Sequence, residues 1–369
     1  MTSLSSLFPR LEALLRQGID QKLHRGAQVY ISQGDRVLAD AAIGENADQQ
    51  PLQPDTLMLW LSAGKPLTAA GALLLQDGGL LQLDDPVARY LPEFAAAGKE
   101  SVTLRHLLTH TAGLKPLVTG WPDVAWNEIV ARICRAPLVT GWIPGARAAY
   151  DPGRSWFILG EVIQRVAALP LADFLREEIL LKCEMPDARM AFTPEVQGEY
   201  AGRIGIMYSL KDGEFVPSAS NLPAALQNPS PGSSFRGPAR QLGHFYEMLL
   251  RHGATRWGVQ ILREQTVQAM TSRQRSGLRD ETFQHVIDFG LGVILNSQRS
   301  AAEPVPYGYG PLASPETFGH GGAQSSVGFA DPQHALVVII ITNATPGDAP
   351  HQQRMQDLTR GLYEDLGLC

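Results

Sequence analysis

The chain has 369 residues, 44% of them hydrophobic and 18% charged, with a formal net charge of −6. That length accommodates one large domain or two intimate ones around a sizeable core, and the composition is that of a globular protein. The negative balance and the lack of a dense Lys/Arg run exclude an ordinary nucleic-acid partner, and no apolar run is long enough to suggest a membrane span.

Residues 4–24 alternate apolar and polar side chains at helical spacing, without the basic start and continuous apolar segment of a signal peptide. They predict an amphipathic helix. Residues 27–45 read as two strands joined by a Gln-Gly-Asp turn. Residues 62–78 read as a helix stopped at Gly78-Gly79. Asp84-Asp85 then cap and turn a connecting segment that runs through Pro86 and Pro92.

The middle, 101–190 and 236–272, is mostly helical by period, with Ser101 or Thr103 as a cap for the helix running towards Gly113. Between these parts lies 221–240, rich in Pro, Gly and Ser. It reads as a long loop, either a lid or wall of a site or a plain surface connection. The end returns to strands in FGLGVILN, TFGHGGAQSSVGFAD and ALVVIIITN, followed by a helix over 350–366. The run LVVIII has no alternation, which predicts a strand covered on both faces.

Strand-rich ends around a helical middle predict an α+β fold. An antiparallel sheet flanked by helices is built from 1–85 and 285–369; a mostly helical lobe spans 86–284, with a lid-like loop near 207–240 and the site in the cleft between. The three cysteines, Cys134, Cys183 and Cys369, are widely spaced. They make neither a metal pattern nor a disulfide framework, so a reducing, cytoplasmic location is expected.

Ser62 and Lys65 are three residues apart at the start of a helix bound for the core, so the two side chains face the same way. Serine needs a base to become a nucleophile. Burial and the positive end of a helix dipole both disfavour a charged amine, and a neutral lysine is a base. On the residues alone, a snorkelling lysine beside a capping serine accounts for the pair. Tyr150 precedes a helix after a turn-rich IPGAR and is either a proton relay or a core phenol. His320 stands before Gly321 and Gly322, whose missing side chains allow close approach to a strand backbone.

With these blocks in this order, the chain resembles the serine β-lactamase and penicillin-binding-protein superfamily over roughly 10–345. The resemblance points to the class C-like branch of family VIII carboxylesterases, D-aminopeptidases and lovastatin-type acyltransferases. It rests on LWLSAGKPLTAAGALLLQDGG, VTLRHLLTHTAGL, YDPGRSWFILGEVIQRV, FRGPARQLGHFYEMLL and FGHGGAQSSVGFADP. It implies a β-lactamase/transpeptidase-like fold, Ser62 as the acylated nucleophile, Lys65 as its base partner and Tyr150 as the tyrosine of a Tyr-x-Asn element. It also implies His320-Gly321-Gly322 in place of a Lys-Thr-Gly strand, with the N–H groups of Ser62 and Ala323 as an oxyanion hole. Two departures stand out. Pro152 replaces the Asn, and His320 replaces the Lys that grips a substrate carboxylate, so antibiotic defence and cell-wall cross-linking are not expected. Gln324 and Ser325 follow where more glycine is usual, and their part in substrate fit stays open.

His106 and His110 are one helical turn apart, but no Glu follows the first and no third ligand is evident, so no metal is expected. Trp60, Trp121, Trp126, Trp142 and Trp156 either line an acyl pocket or belong to the core; Trp60 and Trp142 flank motifs, and Tyr208 and Phe235 border the proposed lid. The expected function is a serine hydrolase acting on a small-molecule carboxylic ester through an acyl-enzyme on Ser62, without cofactor. Alternatives with the same acyl-enzyme are an acyltransferase or a ring-closing thioesterase of natural-product assembly. Below these come a β-lactamase or D-amino-acid peptidase, and last a catalytically silent binding protein. The sequence does not define an oligomeric state.

Overall fold

The computed structural model describes residues 4–298 and 305–368. A short helix, Leu4–Leu7, leads into α1 (Pro9–Asp20), which buries Leu11 and Leu15. Strands β1 (Gly26–Gln33) and β2 (Arg36–Ala47) follow, joined by a two-residue turn at Gly34 (φ 54°) and Asp35 (φ 68°). Positive φ at both positions matches the twist of paired strands, which is why the Gln-Gly-Asp signal was legible.

α2 (Lys65–Asp77) is buried on nearly every side and packs against α3 (Arg154–Ala167). α4 (Ala239–Leu250) comes next. Then follow β3 (Phe318–Gly322), β4 (Ser326–Asp331), β5 (Leu336–Thr342) and the closing helix α5 (Asp348–Asp365).

The main sheet is antiparallel throughout. Its order is Ile294–Leu295, β3, β4, β5, β1, β2, Gln50–Pro51. β5 lies near its centre, with Ala27 of β1 opposite Thr342 and Val29 opposite Ile340. Every residue of β5 is buried, as its unbroken apolar run predicts. Leu336, Val338 and Ile340 enter a core shared with Leu11, Leu15, Leu358 and Leu362 of α1 and α5. Val337, Ile339 and Ile341 enter the other core, with Leu242 and Phe245 of α4 and the residues of α2 and α3. The period of two along one strand thus feeds two cores.

Between the sheet-forming ends, the helices are shorter than the periodicity suggests. Thr103, not Ser101, caps the first helix, and Leu104–Leu108 ends well before Gly113. The cap is reciprocal: Thr103 Oγ1 accepts from the His106 N–H, and His106 Nδ1 accepts from the Thr103 N–H. Within this middle region a hairpin, Tyr208–Lys211 and Glu214–Pro217, pairs with Ala344–Thr345 next to the sheet. The 221–240 stretch contains a helix, Pro223–Gln227, and then runs inward. Its residues 230–232 and 234–237 are buried, and Arg236–Gly237 pairs with Met58–Leu59 just before the Ser62 turn. Among the described residues, no helix is long and apolar enough to cross a membrane.

Candidate active site

Leu61 takes φ 51°, a left-handed conformation costly for a branched side chain. From it a single 3-10 turn, Leu61–Gly64, hands over to α2, so Lys65 becomes the first helical residue and Pro66 follows where a missing N–H costs nothing. The turn is held from behind. Trp60 Nε1 donates to the Gly237 carbonyl at 2.9 Å, and the Trp60 ring stacks on Phe235 with centroids 6.3 Å apart. Gly64 is required there, because a Cβ would fall 2.7 Å from the Phe235 ring. From the sheet side, Ser326 Oγ of β4 donates to the Trp60 carbonyl at 2.7 Å. β3 comes so close that a Cβ on Gly322 would lie 2.4 Å from that same carbonyl oxygen.

Lys65 is fully buried. Its Nζ lies 2.8 Å from Ser62 Oγ, 3.0 Å from the Pro152 carbonyl and 2.7 Å from the Gly232 carbonyl. Burial lowers the amine to about 7, against a smaller upward pull from Asp151. In the neutral amine the two carbonyls take its two N–H bonds, which leaves the lone pair for the Ser62 hydroxyl. The Gly232 carbonyl is fixed by its neighbour: Thr68 Oγ1, one turn along α2, donates to Pro231 at 2.7 Å.

Tyr150 Oη donates to the same Ser62 Oγ at 2.9 Å. Burial pushes its phenol above the ordinary value, so it stays protonated. Its main chain is anchored by Asp280, whose Oδ1 accepts the Tyr150 N–H and which is ion-paired with the buried Arg275 at 3.0 Å. Beneath it His110, with Nδ1 accepting the Asp151 N–H, packs its ring 4.6 Å from the phenol ring. Asp151 caps α3 by accepting from the N–H groups of Gly153, Arg154 and Ser155.

Ser62, Tyr150, Pro152, Phe283, Ile294, Tyr307, His320, Gly321 and Ala323 line one cavity with about 350 Å³ of free space, mouth included. None of these side chains carries a permanent charge. His320 Nδ1 is 2.7 Å from the Gly321 carbonyl and so holds the proton; burial, with Lys65 nearby, lowers the ring to about 3 and keeps it neutral. The turn after β3 is tied down around Ala323. Arg354 of α5 donates to the Gln324 carbonyl at 2.9 Å, Gln324 Oε1 accepts the Gly347 N–H at 2.7 Å, and Thr342 Oγ1 donates to the Ser325 carbonyl at 2.8 Å.

The sequence profile of the Beta-lactamase family matches residues 11–359. The chain belongs to the Beta-lactamase family. It is 29% identical to the esterase EstB of Burkholderia gladioli over 376 residues, 92% of this chain and 91% of that one. It is 28% identical to a penicillin-binding protein of Bacillus subtilis over 214 residues, 55% of this chain; the match spans 46% of that longer protein. A solved family VIII carboxylesterase superposes with TM-score 0.80 over 97% of both chains at 24% identity, a likeness of fold.

Within this family member the structure brings Ser62, Lys65, Tyr150, His320, Gly321, Gly322 and Ala323 together, and sets four other sequence candidates apart from the cavity. Trp60 and Phe235 lie behind the nucleophile turn, fully buried, because both rings are needed to wedge that turn against Gly237. Trp142 is buried elsewhere. Its Nε1 donates to the Thr111 carbonyl, and its ring lies over Gly113 and beneath Arg147. Tyr208 donates to the Asn46 carbonyl at 2.9 Å at the sheet edge. Sequence reasoning missed Phe283, Ile294 and Tyr307, which sit in unremarkable stretches and reach the cavity only through tertiary packing. Gln324 and Ser325 now have places: they clamp the turn that carries Ala323.

Proposed function

We propose that this protein is a serine hydrolase that cleaves a small, uncharged carboxylic ester through an acyl-enzyme on Ser62. One observation carries the reading: a single hydroxyl, Ser62 Oγ, is bonded at once by a buried amine and a partly buried phenol, at the wall of a cavity whose described lining residues carry no charge. Lys65 Nζ takes the Ser62 proton as Oγ attacks the ester carbonyl. The oxyanion is met by the N–H groups of Ser62 and Ala323, each such donor worth about 3–4 kcal/mol in the transition state. Tyr150 gives its proton to the departing alkoxide and is reprotonated from Lys65. Water then repeats the sequence on the acyl-enzyme, with Lys65 again as base.

Among the described residues the cavity lining has no cationic side chain, which favours neutral esters over penicillins and D-amino-acid peptides, which carry a carboxylate beside the scissile bond. We place the enzyme in the cytoplasm, where the buried free thiols Cys134 and Cys183 stay reduced. The test is intact mass after exposure to short esters: an acyl adduct on Ser62, lost on Ser62→Ala together with ester turnover, supports the reading. Turnover that survives Ser62→Ala removes it. Product analysis with a competing alcohol then separates hydrolysis from acyl transfer.

A further inference from the structure

A second cavity lies directly behind the catalytic one, and the two share Tyr307 and Gly321 as a common wall. The rear space is bounded on one side by Val305, Gly308, Val327 and Met355 and on the other by Ser326, His351, Gln352 and Gln356. It holds about 340 Å³ of free space with its mouth, of which only about 20 Å³ takes the centre of a water molecule, room for about one water. The dividing wall is the Tyr307 ring, laid so closely on the strand that a Cβ on Gly321 would fall 2.5 Å from Tyr307 Cδ1. Tyr307 holds that pose with φ 55°, a left-handed backbone that an aromatic residue adopts only when its surroundings impose it.

The rings give a direction. Tyr150 packs tilted against Phe283 at 4.8 Å between centroids, Phe283 against Tyr307 at 5.5 Å, and Tyr307 against His351 at 5.6 Å. On the ester-hydrolase reading, on which this inference rests, the departing oxygen lies at the phenol that protonates it. The alcohol arm attached to that oxygen starts at Tyr150 and runs over Phe283 until it meets Tyr307. We infer that Tyr307 is a specificity-determining residue: it stops the alcohol arm of the ester and closes off a rear subsite, apolar on its Val305, Val327 and Met355 side, that would otherwise receive a longer alkyl chain.

The experiment measures kcat/KM by acid release for alkyl acetates from methyl to octyl, with methyl esters of acetate to octanoate as the acyl series. Wild type, Tyr307→Ala, Tyr307→Leu and the double variant Tyr307→Ala/Val305→Phe are compared, each normalised to the fraction of Ser62 labelled by a fluorophosphonate. A methylene that finds apolar space is worth about fourfold. The octyl-to-butyl ratio in the acetate series should therefore rise at least about tenfold in Tyr307→Ala, by less in Tyr307→Leu, and fall back when Val305→Phe fills the rear cavity. The acyl series and the deacylation rate should stay put, because the alcohol has left before deacylation. Alcohol-length profiles parallel to wild type in both single variants overturn the inference, as does a shift confined to the acyl series. A wild type that turns over no ester, or a Ser62→Ala variant that still does, instead sinks the hydrolase reading beneath it.

Discussion

Lys65 Nζ and Ser62 Oγ are 2.8 Å apart, and the amine's other hydrogen-bond partners are the carbonyls of Pro152 and Gly232, with no carboxylate bonded to it among the described residues. A lysine so placed has hydrogen-bond acceptors but no counter-ion, the environment that favours the neutral base. Lys65→Met should leave the protein folded and lower kcat by about 10²–10⁴, the usual reach of one general base. Lys65→Arg should not rescue it, since a guanidinium stays charged. Active-site-normalised kcat on a short ester is the check, and activity within threefold of wild type in either variant would contradict the assignment.

The pH profile follows with a definite sign. The active form has Lys65 deprotonated, and its amine titrates at about 7. Log kcat/KM should climb with unit slope below that value and level off above it. Burial holds the Tyr150 phenol protonated, and His320 is neutral down to about 3, so neither adds a second limb near neutrality. A limb at carboxylate pH, or a fall immediately above neutrality, would assign the base to another group.

Gly322→Ala should cost about 10²-fold in kcat, comparable to losing one oxyanion donor. The new methyl would meet the Trp60 carbonyl at 2.4 Å and Ser326 Oγ at 2.2 Å, forcing β3 away from the nucleophile turn. KM should move far less than kcat. A variant that loses substrate affinity alone would point to a different use of this strand.

Arg354 is buried in α5, and among the described residues it has no acidic partner. It donates to the carbonyls of Leu23 and Gln324, with the imidazoles of His24 and His351 on its other sides. Arg354→Met should destabilise the protein by about 2–3 kcal/mol, the scale of charged hydrogen bonds lost from the interior, and should lower kcat per labelled site several-fold as the Ala323 turn loosens. Urea denaturation and site titration read the two effects separately; full kcat would mean the turn holds without α5.

Tyr208→Phe offers the contrast. The lost bond to the Asn46 carbonyl is worth about 1 kcal/mol, and ester turnover should be unchanged, because this phenol is remote from the cavity. A fall in kcat/KM here would restore Tyr208 to the substrate-binding residues.

The parts of this molecule that were legible in sequence are those whose reasons are local. The turn at Gly34-Asp35 announces itself by residue type, and the unbroken run in β5 announces cover on both faces. Ser62 and Lys65 are brought together by a single helical turn. Tyr150 and Ala323 came from resemblance, since nothing local carries them to Ser62. The aromatic candidates were misplaced for a physical reason. Trp60 flanks a motif and Phe235 borders the lid-like stretch because they brace the nucleophile turn, and a brace and a pocket wall look alike in one dimension. Phe283 and Tyr307 were invisible because they enter the cavity through a chain of ring contacts between segments far apart in sequence.

The pairing of β1 with β5 sets Ala27 beside Thr342, so the sheet closes only through a contact between segments more than 300 residues apart in sequence. The catalytic turn depends on the same closure, since Ser326 of β4 holds the Trp60 carbonyl and His320, Gly321 and Ala323 form one wall of the cavity. Until those strands dock, Ser62 has neither its sheet-side brace nor a cavity to face.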